Sequence, residues 1–566
     1  MGNVKDITEP VKAYNQIKDV HHQNVVDFFD ELIKKSETNV EANKTTCAAY
    51  YKKLSDVETS NKQIKKIKRK KNFLIFLCVL CCITIILIPV GILIINHIKN
   101  KINTLLSDID KAIQKTINEA NQIKAEAEKQ TARLNASYDW NMAALLVSKT
   151  LPLIEMDQFF NNKRFAHLRD KYGFTEHNED NISTVYVQSG AILGNPFVVE
   201  QNYVCDIVSH VYTGTLVIHW TSRVSNGRGG YTTVTHTQTL VATVNKPKPM
   251  HYLDTWLVYG NAAAPSLNFS RQPSGANGMD DKALARSSKN FSKKLEKISK
   301  KDINFTAMAN TEFENLFHAI DRDNEVEFRL LFTPLAQKNM IDLIKMREPY
   351  GDDFTFVKRK CLNYIKTQHS QGVDFSSNPN MFINFDVEKA RESFINYCDT
   401  YMQSFFFDLA PLITIPLYQN YKDQEFIYRD NHKSNLTSFE IESLANGFDR
   451  KLFAHPDTAT EVILKSKMAK SESGTDIVNI TAHSFKSIAR VTLVPTLGGD
   501  GHMHPVPVHW FEYIPISKVT PFAVTSTGMD RLKYLNSNTN TLANYGIKNV
   551  YYQKGLIGGL MPKTNK

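Results

Sequence analysis

One stretch of the chain is so apolar that it limits what the whole polypeptide can become. From Phe73 to Ile95 the sequence reads FLIFLCVLCCITIILIPVGILII, 23 residues without a charged side chain. A helix needs about 20 apolar residues to cross a hydrocarbon core of about 30 Å. Because backbone polar groups in lipid must pair with one another, an isolated span has to be helical. The sequence therefore predicts one transmembrane helix at residues 73–96.

Basic residues beside this segment predict its orientation. Lys65, Lys66 and the run 68–71 precede it, whereas only Lys99 and Lys101 follow it closely. The basic side of a span normally stays in the cytoplasm. We therefore expect a single-pass protein of the cell membrane, with residues 1–72 cytoplasmic and the C-terminal region extracytoplasmic. The alternative is a buried core helix, although such helices usually have shorter apolar stretches.

The distribution of charge indicates which partners to expect. The formal net charge is +10, and residues 1–72 carry 15 Lys and Arg against 10 Asp and Glu. The remaining chain is almost neutral for its length, so its charge does not favour nucleic acid as a partner. Basic residues beside an apolar segment favour an anionic lipid bilayer instead. Only Cys205, Cys361 and Cys398 lie in the predicted outer part, which is no disulfide framework.

Residues 97–150 predict a helical stalk. No Gly or Pro occurs from Lys99 to Leu151, and a heptad seam runs through this segment. The seam consists of Ile102, Leu106, Ile109, Ile113, Thr116, Ala120, Ile123, Ala127, Gln130 and Leu134. One interpretation is a coiled coil that makes a homo-oligomer. The other is a single helix that folds back on its own domain.

The remaining segments complete the predicted fold class, a membrane-anchored α+β protein. Residues 1–72 read as a helical N-terminal region, and 151–285 as a β-rich domain with a hairpin around the turn Ser225–Gly230. A basic linker is expected at 286–302. Residues 303–566 read as an α+β domain. Within it, Thr333 and Pro334 predict the start of a helix.

Chemical motifs are sparse. The sequence has no phosphate-binding Gly-x-x-x-x-Gly-Lys, no His-Glu-x-x-His and no Gly-x-Ser-x-Gly. One cluster, Gly498-Gly-Asp-Gly-His-Met-His, places Asp500, His502 and His504 at alternate positions, hence on one face of an extended segment. Imidazole and carboxylate at this spacing predict a metal site. The alternative is an ordinary turn beside an edge strand, since Pro505 and Pro507 follow.

Several segments together resemble an uncharacterised family of bacterial membrane-anchored proteins. They occur at intervals over most of the chain: 10–15, 21–32, 150–160, 194–197, 259–271, 323–337 and 499–502. The family has no established activity. The resemblance implies the same layout of helical region, span, stalk and α+β mass, and it implies no catalytic residues.

Two functions follow from these patterns. The first is a non-enzymatic interaction or scaffold protein that presents its module on a helical stalk, with protein partners or a homo-oligomer and no cofactor. The second is a membrane-tethered hydrolase or metal-dependent enzyme that uses the loop Asp500–His504.

Overall fold

The fold combines antiparallel sheets with helices. A computed structural model describes residues 7, 9–83, 88–225, 227, 229–275, 279–300, 305–346, 349–420, 436–472, 474–537 and 541–562. The chain divides into two compact units. Unit 1 comprises residues 1–21, 140–377 and 401–566, and unit 2 comprises 22–139 and 378–400.

The helices include the one that the sequence predicts to begin at Thr333 and Pro334. The described α-helices are α1 (Pro10–Lys35), α2 (Val40–Ile83), α3 (Ile88–His97), α4 (Asn103–Ser137), α5 (Met142–Thr150), α6 (Asn162–Ala166), α7 (Asp281–Ser299), α8 (Thr311–Phe317), α9 (Glu325–Leu331), α10 (Pro334–Ile344), α11 (Val387–Ile413), α12 (Pro416–Asn420), α13 (Ser438–Asn446) and α14 (Arg531–Ser537). The Thr333 side chain accepts a hydrogen bond from the Ala336 N–H and caps α10, which confirms the predicted start.

The strands form two antiparallel sheets. They are β1 (Ile154–Met156), β2 (Ile182–Ile192), β3 (Asn195–Ser225), β4 (Tyr231–Gly260), β5 (Asn268–Arg271), β6 (Phe354–Arg359), β7 (Leu362–Thr367), β8 (Ile463–Glu472), β9 (Thr475–Leu497), β10 (Met503–Ser526), β11 (Val550–Gln553) and β12 (Leu556–Leu560). The first sheet has the order β1-β2-β3-β4-β7-β6-β5, and the second has the order β11-β12-β10-β9-β8.

Unit 2 contains a long antiparallel helical hairpin. Its first leg is α2; the second is α3, a π turn at Ile98–Ile102, and α4. Lys53 Nζ lies 2.6 Å from Glu119 Oε2, far from the hairpin end. Near that end, Cys78 Sγ lies 3.6 Å from the carbonyl oxygen of Gly91. Because residues later in α2 pair with residues earlier in the second leg, the legs run in opposite directions.

The predicted transmembrane helix is wrong. Among the described residues, no helix combines the length and the apolar character that a membrane crossing requires. The apolar stretch is divided between α2 and α3, which pack against each other, and its middle residues 84–87 lie outside the described residues. The membrane-anchored fold class and the single-pass localisation, with opposite ends in different compartments, are therefore wrong as well. Hydropathy depends only on the apolar residues of a stretch, so it is the same for one long helix and for two antiparallel helices.

The predicted free-standing stalk is also wrong. Within the described part of the seam, Ile102, Leu106 and Ile113 are buried in a cluster with Ile64 of α2. Farther along, the Gln130 side-chain amide donates to Thr46 Oγ1 at 3.1 Å. The seam is therefore occupied by the chain's own α2, which agrees with the alternative of a helix folded back on its own chain.

The predicted β-hairpin is confirmed and is longer than expected. β3 and β4 stay paired from Phe197 with Tyr259 to Ser225 with Tyr231. β9 and β10 form a second long hairpin, from Thr475 with Thr525 to Leu497 with Met503. Thr, Val and Tyr are frequent in both hairpins, and these residues favour strands.

The core of unit 1 lies where α13 meets both sheets. Leu444 and Ala445 of α13 are buried in a cluster with Val478 and Phe522 of the second sheet. On another side of α13, the Ser443 hydroxyl donates to the Val185 carbonyl of β2 at 2.9 Å. The helix α13 therefore contacts both sheets.

Candidate interaction site

The predicted metal residues lie in the turn between β9 and β10. The Gly498 N–H donates to the His502 carbonyl at 2.8 Å, which closes the turn. Gly501 has φ of 80°, a conformation that glycine adopts without strain. The Asp500 carboxylate accepts a hydrogen bond from the His502 N–H at 3.0 Å and lies 2.9 Å from His504 Nε2. The structure therefore brings together the Asp500 and His504 side chains, while His502 contributes its backbone.

These contacts define the electrostatics of the turn. The hydrogen bond from the His502 N–H, and then that from His504, lower the pKa of Asp500. The His502 side chain is exposed, whereas His504 is half-buried. In the described part of the chain, no group of three or more His, Cys, Asp and Glu side chains is arranged to hold a metal ion. The metal site at Asp500, His502 and His504 stays a prediction.

The turn is packed against the other long hairpin. The Gly499 N–H donates to Gln238 Oε1 of β4 at 2.7 Å. A Cβ added at Gly499 would lie 2.8 Å from the Trp220 ring, and one at Gly498 would lie 2.7 Å from Ile218 Cδ1. A side chain at either glycine would have to displace these neighbours, because the turn lies directly on β3 and β4.

The two hairpins form a structure that we call the β-arm, comprising residues 205–250 of β3–β4 and 486–514 of β9–β10. Its own apolar core contains Ile218, Leu240, Ala242, Val506 and Val508. Lys246 Nζ lies 4.5 Å from the centre of the Trp510 ring. The inner faces of both hairpins are thus packed together, and each hairpin has an outer face.

The outer face of β3–β4, which we call the threonine face, is largely polar. It carries Thr213, Thr215, Thr221, Thr233, Thr235, Thr237, Thr239 and Thr243. These threonines are exposed, with Val217 and Val241 between them. Threonine suits a strand surface in contact with water because it combines a β-branched chain with a hydroxyl group.

The outer face of β9–β10, which we call the apolar face, has the opposite character. It carries the cross-strand pairs Leu497–Met503, Pro495–Pro505, Leu493–Pro507, Val491–His509 and Ala489–Phe511. Leu497 is 63% exposed, Leu493 61% and Met503 59%. None of these positions holds Asp, Glu, Lys or Arg. Contiguous exposed apolar surface of this kind typically marks an interaction site.

A polar cleft beside α13 contains the types of side chain that catalysis uses. It encloses about 590 Å³ and is lined by Glu442, Lys465 and His177 among others. Lys465 Nζ lies 3.2 Å from Glu442 Oε1, and burial raises the pKa of Glu442. His177 Nε2 lies 2.7 Å from Glu200 Oε2, and this hydrogen bond raises the pKa of His177. Glu442 and His177 are thus each paired with another side chain of the same protein.

Among the described residues, the hydroxyl groups of this cleft are not hydrogen-bonded to either of its two imidazoles, His177 and His483. Nucleophilic catalysis requires a hydroxyl group hydrogen-bonded to a base. The Ser466 hydroxyl lies 3.4 Å from Glu442 Oε1, a carboxylate that also accepts the Ser466 N–H at 3.1 Å. The Glu442 carboxylate is therefore shared between Lys465 and Ser466. Sequence reasoning missed these pairs because their members are far apart along the chain.

A second buried cluster surrounds His369. Its Nδ1 lies 2.5 Å from Asp353 Oδ2, and its Nε2 lies 3.4 Å from Asp408 Oδ1. Burial alone lowers the pKa of His369, but the hydrogen bond with Asp353 and the nearby carboxylates outweigh burial and raise it. Burial raises the pKa of Asp408, which also accepts hydrogen bonds from Thr367 and Ser370.

We expect this cluster to make stability depend on pH. His369 holds its proton more tightly in the folded state, so its stabilisation is present below the unfolded pKa of His, about 6.5. It is lost as pH rises through the raised pKa of His369. His369→Asn should reduce the fall in unfolding free energy between pH 6 and pH 9 by about 1.4 kcal/mol for each unit by which the pKa of His369 is raised. Urea unfolding at both pH values checks this; an unchanged slope would contradict it.

The comparisons with known proteins add no relative on which to base a function. Neither a protein-family model, nor a curated protein, nor a solved structure matches the chain.

Proposed function

We propose that the chain is a non-enzymatic interaction protein that associates with a second copy of itself through the apolar face of the β-arm. The observation that supports this most is the contrast between the two outer faces of one arm. Both faces belong to long antiparallel hairpins, yet only one of them carries threonines. Exposure alone therefore does not account for the apolar residues of the other.

The proline residues favour contact through the face rather than through the edge of the hairpin. Pro495 lies opposite Pro505, and Pro507 and Pro515 follow on the same strand. Proline lacks the N–H that an added strand would need, so these edges resist pairing with another strand. Face-to-face packing of sheets requires apolar side chains and no free backbone groups.

A second copy suits this face because no charged side chain opposes the contact. Two identical apolar faces related by a twofold axis satisfy each other. The face is about 27 Å long and about 10 Å wide from the strand rise and spacing, so each copy contributes on the order of 300 Å² and the two together about 600 Å². This total lies below the roughly 1,200 Å² of stable complexes, and we expect a weak dimer with Kd on the order of 10–100 µM.

Sedimentation velocity of the full chain tests the proposal. Wild-type protein should shift from monomer to dimer over that concentration range, and Leu493→Asp with Leu497→Asp should weaken the association at least about tenfold, because charge in an apolar interface is costly. The matched control, Thr237→Asp with Thr239→Asp, changes the threonine face by the same charge and should leave the association unchanged. A wild-type chain that stays monomeric up to 200 µM, or equal effects of both variants, would contradict the proposal.

A further inference from the structure

The end of the helical hairpin in unit 2 is a second apolar surface, independent of the β-arm. We call it the hairpin tip and define it by the described residues 73–81 and 89–95. On α2, Phe76 is 63% exposed, and on α3, Leu93 is 68% exposed. Val79, Leu80 and Ile92 are also more than half exposed. Helix surfaces in contact with water are normally polar, so these side chains call for a partner.

Cations surround the base of the tip on both legs. This basic collar consists of Lys65, Lys66, Lys68, Arg69, Lys70 and Lys71 of α2 and Lys99 and Lys101 of the π turn. Lys71 of α2 and Asn103, two residues after Lys101, line the same surface depression, so the basic segments of the two legs lie at the same level of the hairpin. No Asp or Glu occurs anywhere between Glu58 and Asp108.

We propose that the hairpin tip inserts into one leaflet of an anionic lipid bilayer and that the basic collar rests on its headgroups. The hairpin enters and leaves through the same surface, so the chain crosses nothing.

Charge complementarity selects this occupant over a second copy of the chain. Two tips brought together would place sixteen collar cations near one another without acidic residues between them. An anionic lipid surface supplies the opposite charge, and Lys and Arg beside such a surface are attracted to it. The apolar residues beyond the collar then enter the hydrocarbon, which is how amphipathic membrane-surface elements bind.

The length of the tip fits within the depth of one leaflet. The described apolar residues rise about 13 Å on α2 and about 10 Å on α3 at 1.5 Å per residue. The hydrocarbon core is about 30 Å thick, so one leaflet accounts for about 15 Å. The described part of each leg is helical and so satisfies its own backbone hydrogen bonds, as insertion into lipid requires.

Vesicle flotation of the full chain tests the insertion. Wild-type protein should float with vesicles of phosphatidylcholine and phosphatidylserine at a 7:3 ratio and much less with pure phosphatidylcholine. Phe76→Asp with Leu93→Asp should lower the bound fraction at least about tenfold. The matched control, Val217→Asp with Val241→Asp on the threonine face, should bind as wild type. Circular dichroism and thermal unfolding establish that both variants are folded.

The collar is tested separately by charge reversal. Lys68→Glu with Lys70→Glu should remove the preference for anionic vesicles, because the attraction depends on the sign of the collar. Loss of flotation in wild type, or equal binding by the tip variant, overturns the proposal. A tip variant that changes sedimentation but not flotation also overturns it and identifies a second copy as the occupant.

Labelling of single cysteines on the two legs tests the same proposal without a variant that weakens vesicle binding. Lys62→Cys lies on one leg and Lys111→Cys on the other, both at exposed positions beyond the collar. With vesicles already bound, a membrane-impermeant maleimide should label both cysteines at the rate seen without vesicles. Protection of either one, relative to wild-type background, would mean that the chain passes through the bilayer and would overturn the proposal.

Discussion

Replacing Lys554 with Met should lower the free energy of unfolding by about 3–5 kcal/mol, because it leaves a buried carboxylate without its counter-charge. Lys554 Nζ lies 3.3 Å from Glu440 Oε1, and the two side chains are 0% and 1% exposed. Lys554 also donates to the Val187 carbonyl, and Glu440 accepts the Phe160 N–H at 2.7 Å. The pair thus connects α13, the first sheet and the turn before β12.

The pH dependence distinguishes lost charge pairing from lost packing. Burial raises the pKa of Glu440 even with its partner present. In Lys554→Met the carboxyl group can avoid an unpaired charge by taking up a proton, so the destabilisation should be smaller at pH 5 than at pH 8. Glu440→Gln combined with Lys554→Met should recover most of the loss. Urea unfolding at both pH values is the measurement, and a loss below about 1 kcal/mol at pH 8 would contradict the interpretation.

Gly214→Val should separate the two hairpins of the β-arm and cost about 3 kcal/mol. A Cβ at Gly214 would lie 2.1 Å from the Pro507 carbonyl oxygen and 2.9 Å from Val508 Cα. These are backbone atoms of β10, so no side-chain rotation relieves the overlap. The small core around Ile218 and Val506 would then open to water.

Amide hydrogen exchange and thermal unfolding check this prediction together. Exchange should become faster in β3–β4 and β9–β10 while the sheet residues near α13 remain protected. Gly372→Ala is the matched control, because nothing lies within 4 Å of a Cβ at that position. Unchanged exchange in the arm of Gly214→Val would show that the hairpins are not packed as described.

Local features of the fold could be predicted from the sequence, because neighbouring residues determine them. Thr333 followed by Pro334 predicts the start of α10, and the glycines near Ser225 predict the turn of the first hairpin. The prediction of one transmembrane helix from the apolar stretch 73–95 was wrong because the composition of this stretch fits one long helix as well as two helices of a hairpin. The packing of Cys78 against Gly91 distinguishes the hairpin from one long helix. The sequence carries no local signal for this contact.

Contacts between distant residues could not be predicted. Lys554 and Glu440 are 114 residues apart, and their pairing depends on the docking of α13. The apolar face is a different case, because Val491 and Leu493 face outward while the equally apolar Val494 packs inward. A strand that is apolar on both faces normally lies between two layers. In β9 one of those layers is the rest of the β-arm, and the other is the partner that we propose.

Cross-linking through single cysteines tests the proposed self-association most directly. Leu493→Cys places a thiol near the middle of the apolar face, and Thr237→Cys places one on the threonine face. With a short bis-maleimide at 100 µM protein, we expect Leu493→Cys to yield a covalent dimer well above wild-type background and Thr237→Cys to remain monomeric. Equal yields from both positions, or a dimer only through Thr237→Cys, would contradict the assignment of the apolar face as the interaction surface.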